Sequence, residues 1–327
     1  MKLEGAFEDF YDAIKLGQVP EGRIAEAWSR IHKYLIDHYA VPGAAVYLQG
    51  SYANDTTVEP LPGGEYDLDV VSATALGGIS AEQAFADLTE SLSQDADYKK
   101  RIDEEKQPER CLRLRYADEA DGARFHIDVV PARASSSAPL EIPSRAGGWH
   151  DTDPQGFTAW CKSRGQSFTR TVRMLKRWRD ENQESRRGIK SIVLQVLVAE
   201  TLPSSLVDDA DRIVGTFEGI KSKLAANLTS PPVISNPVLN SENLAERWPQ
   251  ESYASFRREI DDAVQLARDA LDAEDEAQSH DLWRRLLGDD FPPAPTSPAK
   301  RQSGPPAPPA PGFESRPQLP PKRERYA

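Results

Sequence analysis

The sequence predicts an α+β fold, in which a mixed sheet with flanking helices is followed by a helical half and a proline-rich tail. Short apolar segments typical of strands lie between residues 45 and 130, whereas apolar residues recur at helical spacing from residue 156 onward. Residues 291–327 hold nearly half of the chain's 26 prolines and cannot build a core. We therefore expect a mixed α/β domain over 1–155, a helical domain over 156–290 and a disordered tail over 291–327.

The helices and strands are predicted from the spacing of apolar residues, which recurs every three or four positions in a helix and every second position in a strand. Ile24, Trp28 and Ile31 recur every three or four positions, which indicates one helical face. The segment DEADG separates two apolar runs and is a turn signal, so these runs should form a hairpin. The predicted helices are 6–16, 22–39, 80–93, 168–182, 189–202, 206–228, 251–273 and 279–287, and the predicted strands are 45–50, 66–72, 111–117 and 124–130.

Composition restricts the class of function. No apolar run is long enough to span a bilayer and the N-terminus has no signal-peptide core, so we expect a cytoplasmic protein that does not enter a membrane. Cys111 and Cys161 form no CxxC pair and are predicted to be free thiols. The net charge of −12 disfavours a long nucleic acid as partner and favours a small phosphorylated substrate.

Two aspartates stand out in the strand YDLDVVS. Side chains alternate along a strand, so Asp67 and Asp69 should share the face opposite Tyr66, Leu68 and Val70. Two carboxylates about 7 Å apart on one face repel each other, and a divalent cation would offset that repulsion. The alternative is that these acidic side chains are simply solvated.

A second strand repeats this arrangement. In RFHIDVV, Asp128 and His126 should face the side opposite Phe125 and Ile127. If the two strands are neighbours, Asp67, Asp69 and Asp128 converge, and three carboxylates are able to hold two hard cations. His126 is interpreted as a hydrogen-bonded structural residue rather than a base.

Gly50 and Ser51 follow the apolar run AVYLQ and precede a predicted short helix. Glycine allows a phosphate to approach the backbone, and a helix N-terminus favours anions. By itself this pattern is more often a plain turn, but a DxD pair 16 residues later makes it more specific.

Together, the segments GSYANDT, EYDLDVV, FHIDVVPA, LKRWRD and KSIVLQVL resemble the bacterial cGAS/DncV-like nucleotidyltransferases. These enzymes, the CD-NTases, belong to the polymerase-β-like nucleotidyltransferase superfamily and make cyclic oligonucleotide signals in CBASS antiphage defence. The resemblance covers residues 45–250. It implies a polymerase-β-like core and the synthesis of a cyclic di- or trinucleotide from NTPs, ATP among them, with release of pyrophosphate.

The resemblance also implies roles for single residues. Asp67 and Asp69 would bind two Mg²⁺ ions, or Mn²⁺ in their place, and Asp128 would complete the site and help to deprotonate the acceptor hydroxyl. The donor triphosphate would be contacted by Gln49, Gly50, Ser51, Lys176 and Ser191. The segment ISNPVLNSENLAERW resembles the family's loop and helix beside the acceptor.

Simpler interpretations exist for several of these residues. Lys176 would be a solvated lysine, and Ser191 would bond only to a helix carbonyl. Arg173 and Arg177 would lie either on the surface or in the phosphate cleft. The family often has glycine where this chain has Asp55.

Two other functions fit the same motifs. The chain would modify RNA ends or a protein, or it would be a catalytically dead nucleotide-binding protein. The flexible tail ending in Ala327 also suits capture by a ubiquitin-transfer-like partner protein.

Overall fold

The computed structural model describes residues 1–39, 45–74, 77–103, 107–118, 122–182 and 188–295, and it confirms the predicted α+β fold. The helices are α1 (Glu4–Ala13), α2 (Gln18–His38), α3 (Gly50–Ala53), α4 (Ala81–Ser93), α5 (Ala96–Lys99), α6 (Pro154–Ser163), α7 (Gly165–Glu181), α8 (Ser191–Thr201), α9 (Asp209–Leu224), α10 (Gln250–Asp272) and α11 (Glu276–Leu287). The strands are β1 (Ala45–Gln49), β2 (Glu65–Ala73), β3 (Leu112–Arg115), β4 (Arg124–Ala134), β5 (Leu140–Pro143), β6 (Trp149–Thr152), β7 (Ser235–Asn236) and β8 (Leu239–Asn243).

The main sheet is mixed and has the order β1-β2-β4-β5-β6, with β3 paired to β4. β2 and β4 run parallel, whereas β1 is antiparallel to β2. β3 and β4 are antiparallel, so the predicted hairpin is confirmed. Tyr66, Leu68 and Val70 are buried on one face of β2, which confirms the predicted alternation along that strand.

Two apolar cores hold residues 1–294 together as one compact unit. One core lies between the sheet and helices α2 and α4, and it includes Ile31, Leu68 and Leu88. The other joins the later helices, and α1 packs there through Phe7 and Phe10. The division at residue 155 stays a prediction, but α1 packs with the helical part.

Phe291 closes the second core. The sequence places this residue at the start of the tail, yet it is fully buried and its ring contacts Phe7, Phe10 and Trp283. The folded chain therefore extends to Ala294, and the remainder of the predicted tail, including Ala327, lies outside the described residues.

Several elements are absent from the sequence prediction. Strands β5 and β6 have only four residues each, too few for a periodic pattern to stand out from the surrounding sequence. The interpretation of 234–248 as a loop and a helix is wrong, because these residues form the β7–β8 hairpin followed by turns. Cys111 and Cys161 are free and buried, as predicted. None of the described helices is both long and apolar enough to cross a bilayer.

Asp55 has a left-handed backbone, with φ of 56°. This conformation is strained for a residue with a Cβ atom and relaxed for glycine, which explains why glycine suits the position. We expect Asp55→Gly to retain full stability, whereas Asp55→Ala should lower the free energy of unfolding by about 1 kcal/mol. Urea denaturation of both variants measures the difference, and equal losses in the two would contradict a backbone origin.

Candidate active site

A cavity of about 780 Å³ opens where the sheet meets helices α6, α7 and α8. Its walls carry charged and polar side chains from the sheet, from α3 and from the helical part. The lining residues include Gln49, Gly50, Ser51, Asn54, Thr57, Asp67, Asp69, Thr158, Lys176, Arg179, Asp180, Ser191 and Gln195. The cavity thus brings together seven of the eight residues that the sequence predicts for the site.

The eighth residue, Asp128, is the immediate neighbour of Asp69. The parallel register of β2 and β4 pairs Asp69 with Asp128 and Asp67 with His126, so all four side chains share one face. Burial raises the pKa of Asp69 well above its usual range, and repulsion from Asp67 and Asp128 raises it further. The register therefore places Asp128 beside Asp69, on the face that also carries Asp67.

Asp128 differs from the other two carboxylates in having a protein cation as its partner. Arg113 Nε donates to Asp128 Oδ1 and Arg113 Nη2 donates to Asp128 Oδ2, both at 2.8 Å. Among the described residues, no three His, Cys, Asp or Glu side chains stand together in a metal-binding arrangement. Asp67 and Asp69 fit a cation site because they face the cavity, whereas both oxygens of Asp128 are already bonded to Arg113.

His126 is not the satisfied structural residue that the sequence suggests. Its Nε2 atom is buried without a hydrogen-bond partner, and it lies 3.9 Å from Asp128 Oδ2, beyond hydrogen-bond distance. Burial lowers the pKa of His126, since the charged ring would lose its hydration. A neutral imidazole adds no positive charge beside Asp67, Asp69 and Asp128, whereas the guanidinium of Arg113 does.

The turn after β1 is built around Gly50. Its φ is 72°, and a Cβ atom added there would lie 1.9 Å from Asp69 Oδ2. The absence of a side chain at Gly50 therefore gives the Asp69 carboxylate its place beside the turn. Ser51 follows at the start of α3, where its hydroxyl lies 3.1 Å from the hydroxyl of Thr57.

Lys176 approaches the same turn from α7. Its side chain is buried, and Nζ donates to the carbonyl oxygen of Thr56 at 2.8 Å. The interpretation of Lys176 as a solvated lysine is therefore wrong. Burial lowers the pKa of Lys176 to about 8, so the ammonium is only moderately favoured at neutral pH.

The sequence comparison with known families agrees with this geometry. Residues 1–164 match the family described as the Second Messenger Oligonucleotide or Dinucleotide Synthetase domain. The chain belongs to this family. It is thus a CD-NTase, and a nucleotidyltransferase of the cyclic oligonucleotide synthase type.

Individual proteins also resemble this chain, one in sequence and two solved structures in fold. A c-di-GMP synthase from Roseivirga ehrenbergii is 26% identical, with 88% of this chain and 85% of that protein covered. The Bradyrhizobium diazoefficiens CD-NTase CdnG, solved with GTP, has a TM-score of 0.69 at 19% identity and covers 87% of this chain and 95% of its own. E. coli CdnC, solved with ATP, has a TM-score of 0.66 at 16% identity, and the match covers 88% of this chain and 98% of the CdnC chain.

In this CD-NTase, Ser191 is linked to an arginine that sequence reasoning missed. Arg179 Nη1 donates to Ser191 Oγ at 2.9 Å, while its Nε and Nη2 atoms donate to Asp180 Oδ1. The sequence analysis weighed Arg173 and Arg177 instead. Arg173 bonds to the Tyr11 hydroxyl, and neither it nor Arg177 lines the cavity.

The buried Arg177 has a structural role. Its Nη2 atom donates to the Glu59 carbonyl and its Nε atom pairs with Asp290 at 2.9 Å. It thereby ties α7 to the chain before β2 and to the C-terminal segment. Arginines 173, 177 and 179 all lie on α7, and helical spacing alone does not show which of them faces the cavity.

A polar network that motif reading also missed joins the turn to the helical part. Asn54 accepts from the Thr158 hydroxyl at 2.7 Å and donates to Gln195 Oε1 at 3.3 Å. Asn54 and Gln195 are buried, and all three residues line the cavity. Asn54 lies inside the GSYANDT motif, which was the only signal available from the sequence.

Proposed function

We propose that this CD-NTase joins NTPs, ATP among them, into a cyclic di- or trinucleotide at the cavity lined by Asp67 and Asp69. The observation that supports this most strongly is the position of these two carboxylates, beside the Gly50 turn and within the same cavity as Lys176 and Arg179. Negative groups that hold a cation and positive groups that hold a triphosphate are the two requirements of nucleotidyl transfer. An antiphage signalling role follows from the family and is part of the proposal.

Enzymes of this family generally use divalent metal ions. We propose that Asp67 and Asp69 hold two Mg²⁺ ions here, with Asp128 as the third ligand residue, and that Mn²⁺ can replace them. When bound, the ions would neutralise the charge that builds up on the reacting phosphate and activate the acceptor hydroxyl. The mutual repulsion of the three carboxylates supports this assignment, because a cation would relieve it.

The donor triphosphate would lie against the Gly50–Ser51 turn. Gly50 lines the cavity, and Ser51 and Gln49 present polar groups to it. Lys176 and Arg179 supply positive charge from α7, and Ser191 is placed by its bond to Arg179. These side chains would fix the α-phosphate in line with the attacking hydroxyl, which is how positioning lowers the barrier.

Lys176 makes nucleotide affinity dependent on pH. With a pKa of about 8 in the free protein, Lys176 loses its charge above that pH, and a neutral amine attracts phosphate less strongly. We expect the affinity for MgATP to fall as pH rises from 8 to 9.5, by up to about tenfold per pH unit. Calorimetry of ATP binding across this range measures the effect.

Lys176→Arg is the matched variant, because a guanidinium stays charged over the whole range. Its affinity should change little between pH 8 and 9.5, apart from the titration of the nucleotide itself. A wild-type profile as flat as that of Lys176→Arg would show that Lys176 does not bind phosphate through its charge.

The product identifies the reaction. The protein is incubated with the four NTPs, each radiolabelled in turn, and Mg²⁺, and the mixture is then treated with phosphatase. A phosphatase-resistant nucleotide, whose mass gives the bases and the ring size, is the expected result. Label on added RNA or on the protein itself, or no incorporation at all, would contradict the proposal.

The proposed partner at the tail is tested separately. We propose that a ubiquitin-transfer-like protein captures the chain through its tail at Ala327, on the ground of the family resemblance and of the proline-rich composition of residues 292–327. Deleting the last residues should abolish conjugates in cells that contain the partner and leave nucleotide synthesis unchanged. Conjugates that persist after the deletion would remove this part of the proposal.

A further inference from the structure

Both carboxylate oxygens of Asp128 are bonded to one arginine. The two bonds from Arg113, at 2.8 Å each, form the bidentate pairing that a guanidinium makes with a carboxylate. The pair is largely shielded from water, with side-chain exposures of 21% for Arg113 and 10% for Asp128. A surface pair would contribute little, but a shielded and doubly bonded pair defines where this carboxylate points.

The sheet builds this pair into the site. Arg113 on β3 lies opposite Asp128 on β4, so the two side chains leave neighbouring strands on the same face. Gln107 fixes the strand, since its side chain accepts from the Arg113 N–H at 2.7 Å and donates to the Arg113 carbonyl at 3.2 Å. Arg113 is therefore held at both its backbone and its guanidinium.

The charges of the site explain what the arginine does. Asp128 lies beside Asp69, which in turn repels Asp67, so three carboxylates share a small volume. The guanidinium supplies Asp128 with the positive charge that a metal ion would supply. Arginine suits this task because it stays protonated at every physiological pH.

We infer that Arg113 is a positioning residue that competes with the catalytic cations for Asp128. This inference rests on the proposed metal site at Asp67, Asp69 and Asp128. The two Arg113 bonds engage both oxygens of Asp128, so a cation that takes this ligand must displace one of them or use a remaining lone pair beside the guanidinium charge. The competition weakens cation binding until an NTP brings further oxygen ligands, so the metal site is completed only together with its substrate.

Binding of Mn²⁺ alone to the full-length protein, without nucleotide, tests the competition. Electron paramagnetic resonance at pH 8 measures free Mn²⁺ in titrations of the wild type and of Arg113→Gln. We expect Arg113→Gln to bind Mn²⁺ about tenfold or more tightly, which is within the usual range for coupled binding events. Adding Asp128→Asn to Arg113→Gln should remove the gain, because the released ligand is then missing.

Arg115→Gln is the matched control. Arg115 lies two residues further along β3 and pairs with Asp103 at 2.5 Å rather than with a site carboxylate. Its loss should leave Mn²⁺ affinity unchanged. A gain equal to that of Arg113→Gln would show a general charge effect and overturn the inference.

Two further measurements keep the outcome decisive. Arg113→Lys retains the charge but not the paired bonds, so it should bind Mn²⁺ with intermediate affinity, and it decides the question if Arg113→Gln does not fold. Mn²⁺ binding is also measured with a nonhydrolysable ATP analogue. If the wild type binds Mn²⁺ only with the analogue, and neither Arg113 variant binds Mn²⁺ more tightly than the wild type without the analogue, the proposed competition is overturned but the proposed metal site is not. Absence of Mn²⁺ binding in every condition would overturn the proposed metal site as well.

Discussion

Asp69→Asn should abolish nucleotide synthesis and at the same time raise the thermal stability of the metal-free protein. Asp69 is half-buried and lies near Asp67 and Asp128, and both of these carboxylates repel its charge. The amide has nearly the same shape and no charge, so it relieves this repulsion, but it is a poor ligand for a hard cation. Removing a group that stabilises transition-state charge lowers kcat by about 10³-fold or more.

Two measurements check this expectation. Product formation is followed by phosphatase-resistant label, and melting is followed in EDTA, where no cation offsets the repulsion in the wild type. Asp37→Asn is a suitable control, because Asp37 is an exposed residue of α2 whose partner is Lys33. It should change neither quantity. If pure Asp69→Asn protein retained synthesis, the cavity would not be the catalytic site.

The expected loss of synthesis and gain in thermal stability in Asp69→Asn have one origin. A catalytic site that must attract cations holds carboxylates closer together than folding alone would favour. The sequence of β2 is enough to predict that Asp67 and Asp69 lie close together, because alternate side chains of one strand point to the same face. Pairing Asp69 with Asp128 additionally requires the register of β2 and β4, which the structure supplies.

The Arg113–Asp128 pair shows where sequence reasoning ends. Alternation places Arg113 on one face of β3, but its partner depends on how the two strands of the hairpin are aligned. The turn between them contains several residues able to adopt turn conformations, so the sequence permits more than one alignment. A shift of one residue would turn Arg113 away from the face that carries Asp128.

Lys176 illustrates a second limit. Charged residues on a helix are usually solvated, and the basic stretch of α7 fits that expectation. The structure instead buries Lys176 against the Thr56 carbonyl and Arg177 against the Glu59 carbonyl. Those acceptors lie on a distant part of the chain, and no periodicity within α7 indicates them.

Gly50→Ala should also lower synthesis, by about 10²-fold, because it moves a catalytic carboxylate rather than removing it. The new Cβ atom would lie 1.9 Å from Asp69 Oδ2, so Asp69 or the turn must shift, and a displacement of about 1 Å can lower activity 10²-fold. Gly63 is the matched control, because its φ of 71° imposes the same backbone strain while nothing lies within 4 Å of its added Cβ atom. Gly63→Ala should therefore lower stability by about 1–2 kcal/mol and leave kcat nearly unchanged. Steady-state kinetics and urea denaturation of both variants separate the two effects, and equal kcat values would show that Gly50 serves the turn alone.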